Sequence, residues 1–176
     1  MGIFFTVLFF CMFGDDPKGT RVAFGKVSAA VPSTWKVEKP ANRLRSHQFR
    51  LPSADKNYAD GEVAVYPEGR PDPAKVFPDW KNQFEPPDAK TLDEVTKTDK
   101  WTVGPATIHL LDVTGTWNYK ERPKDPKSKL EVRPEYRSIW AIVVVGDDAW
   151  HVRFSGPQSV VAKYKPGFDA WLKGLK

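Results

Sequence analysis

Cysteine is all but missing from this chain. Cys11 is the only one in 176 residues, so neither a disulfide framework nor a thiol-rich metal site can be assembled from it. That scarcity is compatible with an oxidising compartment. Histidine is scarce too. His47, His109 and His151 lie far apart, and none sits in a His-Glu-x-x-His or Cys-x-x-Cys setting; local metal-ligand spacing is therefore absent. No Gly-x-Ser-x-Gly elbow occurs, and Gly14, Gly19 and Gly25 lack the spacing and the Lys-Ser/Thr of a phosphate loop. Paired carboxylates occur at Asp15-Asp16, Asp93-Glu94 and Asp147-Asp148. The last follows Gly146 and reads as a hairpin turn; a calcium site there would need several more oxygens.

Charge of one sign is not concentrated either. The net charge is +5, and the basic residues of 120–133 (Lys120, Arg122, Lys124, Lys127, Lys129, Arg133) are interrupted by Glu121, Asp125 and Glu131. A nucleic-acid surface needs a cleaner basic stripe, so no nucleic-acid partner is expected. Nor is there a long hydrophobic run. Ile3–Phe13 is apolar over eleven residues, short of the about 20 a membrane-spanning helix needs. Its length suits the apolar core of an export signal, although no Lys or Arg precedes it and no Ala-x-Ala site follows. Cys11 and Met1-Gly2 also raise lipid attachment. Residues 1–14 are thus read as a signal or anchor, the only expected membrane contact, and the protein as exported to the periplasm, envelope or medium.

What remains is a chain able to build a core: 40% hydrophobic residues and seven Trp. Thr20–Phe24 and Val27–Val31 flank Gly25-Lys26 as a hairpin, and Trp35–Lys39 reads as a half-buried edge strand. His47–Leu51 and Glu62–Tyr66 are expected to pair. Asp72-Pro73 marks a helix start. The stripe Val76, Phe77, Trp80 and Phe84 follows, with Pro78 expected to shift the start to Phe77 or later and Pro86-Pro87 ending the element. Asp88 to Asp99 is polar, Trp101 to Val103 a short strand, and Ala106 to Trp117 a long interior strand. Lys120 to Pro134 reads as the longest loop. Ser138–Val145 is apolar on both faces and therefore central, and Trp150–Phe154 returns beside it. Val161, Tyr164, Phe168, Trp171, Leu172 and Leu175 form the last helical stripe, with Pro166 expected to divide it and begin the main helix. The pattern is α+β: one domain over 20–176, an antiparallel sheet with helices on both faces.

Trp80, Trp140, Trp150 and Trp171 fall at core positions. Trp35, Trp101 and Trp117 are less constrained and, with Arg122 and Lys124, form the candidate binding surface. The loops 52–60, 67–73 and 120–134 are the regions where such a surface is expected.

Phe24-Gly25-Lys26-Val27, Val31-Pro32-Ser33-Thr34-Trp35, Trp80–Phe84, Gly115-Thr116-Trp117-Asn118-Tyr119, Gly156-Pro157 and Phe168-Asp169-Ala170-Trp171-Leu172 follow one another in an order that resembles PsbP-like domains of the Mog/PsbP fold. It also resembles a group of exported bacterial proteins of the same layout. The resemblance covers about Val22 to Leu175. It implies an α/β/α sandwich, shared by a photosystem II extrinsic subunit and a Ran-binding transport factor, and implies binding or assembly rather than catalysis. No site residue carries over. The expected function is an exported, non-enzymatic, monomeric binding or assembly module with no cofactor, its partner another envelope protein. The alternative is a hydrolase or metal-dependent enzyme using a composite site of His47, His109, His151 and nearby carboxylates.

Overall fold

A computed structural model describes residues 19–67, 69, 71–121 and 125–176. The expected signal or anchor segment 1–14, with Cys11, lies outside these residues, as do Arg122 and Lys124 of the candidate surface.

The expected first hairpin forms. β1 (Arg21–Phe24) and β2 (Val27–Ala30) pair antiparallel, with Gly25 left-handed at the turn (φ 59°). This small sheet closes against the chain end, where Ser28 and Lys176 exchange backbone hydrogen bonds of 2.9 and 3.2 Å. The main sheet has eight antiparallel strands. Its order is β3 (Lys36–Glu38), β4 (His47–Leu51), β5 (Gly61–Tyr66), β10 (Asp148–Pro157), β9 (Leu130–Val145), β8 (Ala106–Lys120) and β6 (Phe84–Glu85). β7 (Thr96–Val103) pairs with β8 on the stretch that β6 leaves open. The apolar stretch Ser138–Val145 is indeed interior, bonded to β10 on one side and β8 on the other.

Successive strand residues point to opposite faces, and β9 feeds two cores accordingly. Ile139, Ala141, Val143 and Val145 join Val152, Phe154 and the α2 (Gln158–Lys173) residues Val161, Phe168, Trp171 and Leu172. Trp140 joins Leu111, Val113, Trp117 and Phe84, packed by Phe77 and Trp80 of α1 (Pro73–Lys81). Lengths decide what α1 can cover. β8 and β9 have 15 and 16 residues, about 50 Å of strand, whereas the nine residues of α1 span only about 13 Å. The Trp140 side of the sheet is therefore left without a helix toward the far ends of these strands.

Four expectations are corrected. Phe84 does not extend the helix: α1 ends at Lys81, and Phe84 pairs with Trp117 in β6. Pro78 does not delay the helix start, because Asp72 already caps it, its side chain accepting from the Ala74 N–H at 3.0 Å. Pro166 does not divide the last helix. α2 runs unbroken through it; buried Val160 and Val161 before it and Phe168, Trp171 and Leu172 after it fix one line against the sheet, offsetting the about 3 kcal/mol an internal proline costs. Finally, the loop is shorter than 120–134: β8 runs to Lys120 and β9 begins at Leu130, so both ends of the stretch belong to the ladder. Exposed Leu130 and Val132 and their polar neighbours form a projecting hairpin arm whose faces show no clean alternation.

Candidate functional site

The uncovered part of the Trp140 side is not apolar. It holds an open cleft of about 510 Å³ whose walls include Arg45, Glu62, Tyr119, Arg133, Tyr136 and Arg153. Glu62 and Ser155 face each other across β5 and β10, Arg153 lies two residues along β10 on the same face, and Arg45 reaches in from the segment before β4.

One carboxylate holds two guanidiniums. Arg45 Nη1 donates to Glu62 Oε2 at 2.7 Å and Arg153 Nη2 to Glu62 Oε1 at 2.9 Å. Arg45 is further fixed by Gln48, whose Oε1 accepts at 2.7 Å. The side chains of Arg45 and Arg153 are 6% and 13% exposed, against 30% for Glu62. Burial works against the Glu62 charge, but Arg153 and Arg45 outweigh it and hold the carboxyl below its usual range. The Nε atoms of both arginines are buried without a hydrogen-bond partner.

A third guanidinium comes from the β9 arm. The Cζ of Arg133 sits 4.0 Å from the Tyr119 ring centre and 5.4 Å from that of Trp117, and Arg153 approaches the same two rings at 5.6 and 5.5 Å. Cationic forks over aromatic faces are favourable. Arg133 is paired with Glu131 at 2.6 Å, but that carboxylate is 48% exposed, and such surface pairs contribute little. Burial pushes the Tyr66 and Tyr136 hydroxyls up, so both stay protonated and able to donate.

A register shift makes this convergence possible. Gly115 pairs with Tyr136, yet Trp117 pairs with Arg133, so one extra residue sits on β9 between them. Glu135 within it is left-handed at φ 52°. In a regular strand, residues three apart face opposite sides; the bulge turns Arg133 and Tyr136 to the same cleft. Gly115 is required here because a Cβ would overlap the Glu85 carbonyl of β6.

The candidate surface read from the sequence needs correction. Trp35 is 5% exposed and packed among Phe49, Phe168 and Trp171. Its position before β3 turns it inward, leaving Val37 as the exposed residue there. Trp117 is 1% exposed and forms the buried aromatic layer under Arg133 and Arg153. Trp101 is half-buried, with the Lys173 ammonium 4.3 Å from its ring centre and Asp99 accepting its indole N–H at 2.6 Å.

The three histidines do not converge. His109 and His151 both pair with Ile142, from opposite sides, and so lie two strands apart on one face, about 10 Å. His47 pairs with Val65, which pairs with Val152, whereas His151 pairs with Tyr66; His47 therefore faces the other side. The His151 ring stacks on Tyr66 at 5.0 Å and Trp80 at 4.5 Å. Among the described residues, no three His, Cys, Asp or Glu side chains are placed to hold a metal ion.

Sequence reasoning missed Arg45, Glu62, Arg133 and Arg153 as a group. A signal existed: Arg153 interrupts Val152 and Phe154 on the face of β10 beside Trp140, where an uncommitted charge would be costly.

No family model matches the chain, and no curated protein does. Among solved structures, the cyanobacterial PsbP (CyanoP) of Synechocystis sp. PCC 6803 aligns over 94% of this chain and 96% of its own, with a TM-score of 0.53 at 11% identity. LpqN of Mycobacterium tuberculosis, described as involved in cell envelope biogenesis, aligns over 92% and 85%, with a TM-score of 0.48 at 14% identity. The fold is PsbP-like, as the order of short motifs implied.

Proposed function

We propose that the protein is an exported, non-enzymatic binding or assembly module that holds an anionic group of an envelope component in the arginine–tyrosine cleft. In this reading the domain is an α/β/α sandwich, with α2 over one face and α1 over part of the other. The observation that carries it is the charge count: three guanidiniums line one cleft against two carboxylates, Glu62 and Asp60, and Asp60 is already bonded to Arg50 at 2.9 Å. Guanidiniums recognise anions by fixed forks and do not exchange protons near neutral pH, which suits recognition better than acid–base chemistry. Export is supported by the apolar run Ile3–Phe13. Among the described residues no helix is long and apolar enough to cross a membrane.

The test is retention of envelope components on immobilised protein. A component held by the wild type at low salt, released at high salt and not held by Arg133→Ala supports the reading. Equal retention by both proteins would place the working surface elsewhere.

A further inference from the structure

The geometry points to a phosphate monoester as the group the cleft takes, with Arg133 and Arg153 clasping its oxygens and the apolar rim at Val132 and Pro134 receiving the organic substituent. This inference rests on the reading of the cleft as an anion site and narrows it. Glu62 neutralises one of the three arginine charges; Asp60, also in the wall, is bonded to Arg50 at 2.9 Å, so two charges are left for a ligand once Arg133 exchanges its exposed partner Glu131 for it. A carboxylate supplies one negative charge and one plane of acceptors. A phosphate monoester supplies close to two charges at neutral pH and three acceptor oxygens splayed out of plane.

The donors around the opening are splayed in the same way. Arg133 and Arg153 approach the Tyr119 ring from different strands, β9 and β10, and the Tyr136 hydroxyl is held in the donating form beside them. Arginine forks bind phosphate oxygens in pairs. Arg45 and Arg153 are already oriented by Glu62 and Gln48, so little side-chain freedom is lost on binding. Arg133 gives up only its exposed partner Glu131. The volume of about 510 Å³ exceeds what a bare phosphate ion fills and lies in the range of small-molecule sites. Val132 is 61% exposed at the rim, an apolar surface suited to the substituent.

The probes are phenyl phosphate, inorganic phosphate and benzoate by calorimetry, and phosphatidate against phosphatidylcholine vesicles by co-sedimentation, all with the full chain. Saturable binding of phenyl phosphate, or of phosphatidate vesicles over phosphatidylcholine, is expected, with benzoate at least about tenfold weaker. Arg133→Ala, at the exposed rim, and Arg153→Lys should each weaken it about tenfold or more. Preference for phenyl phosphate would assign a soluble ligand, and preference for the vesicles a lipid headgroup; either outcome supports the inference. Benzoate binding as tightly as phenyl phosphate would overturn the inference while leaving the anion site standing. No saturable binding of any anion, or binding indifferent to both substitutions, would overturn the inference and the anion site together.

Discussion

Glu62→Gln probes the cleft where its energetics are most exposed. The substitution keeps the shape of the side chain and removes the only carboxylate that Arg45 and Arg153 share. Only one of the two arginines keeps an acceptor, the glutamine oxygen, because the amide NH2 cannot accept, and two guanidiniums 6% and 13% exposed lose their counter-charge. Removing one partner of a fully buried ion pair costs about 3–5 kcal/mol. Glu62 is 30% exposed and the glutamine oxygen still accepts a bond, so the expected loss is smaller, about 2 kcal/mol. For a chain of this size that lowers Tm by about 4–8 °C. Urea unfolding followed by tryptophan fluorescence reads it directly. The same variant leaves Arg45 and Arg153 without a counter-charge, so phosphate should stabilise it more than the wild type. At a hundred times its Kd a ligand adds about 2.7 kcal/mol, enough to restore the loss. A Glu62→Gln protein as stable as the wild type, or one that phosphate leaves unchanged while sodium chloride of equal ionic strength does the same, would refute the reasoning.

Other consequences can be checked on the same instruments. The folded Glu62 carboxyl lies below its unfolded value of about 4.3, so its contribution is whole above that pH and is lost as pH falls through the folded value. Stability of the wild type between about pH 5 and 3 should therefore fall more steeply than that of Glu62→Gln. Gly115→Ala forces a methyl group against the Glu85 carbonyl and should destabilise by about 1–3 kcal/mol in urea, weakening anion binding as the bulge shifts. Trp35→Ala removes a ring packed against Phe49, Phe168 and Trp171 and should cost about 3–5 kcal/mol in the same assay, a result that an exposed Trp35 would not give. Asp112→Asn removes the counter-charge of Arg137, bonded at 2.8 Å through Nε, and should lower Tm without affecting anion binding, since that pair lies away from the cleft.

The architecture was legible wherever one covered face, or two, left a periodic trace. Ser138–Val145 announced itself as interior because both its faces are apolar, and the hairpin at Gly25 because the turn needs a left-handed residue. β7 was read only at Trp101–Val103 because the rest of the strand, Thr96 to Lys100, is largely exposed and polar along the sheet edge, with lysines of the kind that blunt edges. The arm of β8 and β9 passed for a loop because residues beyond the cores carry no burial pattern. Pro166 was given a boundary role that tertiary packing on both sides of it cancels. The tryptophans show the limit most clearly: both Trp35 and Trp117 lie in segments read as strands, but the partners that bury them are 14 or more residues away. The cleft was hidden for a related reason. Arg45, Glu62, Arg133 and Arg153 come from four segments, and a one-residue bulge sets which way Arg133 points.

The most direct test of the central claim is a titration of the arginine Nε–H resonances of the labelled chain with phenyl phosphate. An anion site in the cleft predicts saturable shifts largest at Arg133, Arg153 and Arg45, with Arg21 and Arg137 unmoved. Shifts spread evenly over all arginines without saturation, or shifts absent from these three, would contradict it.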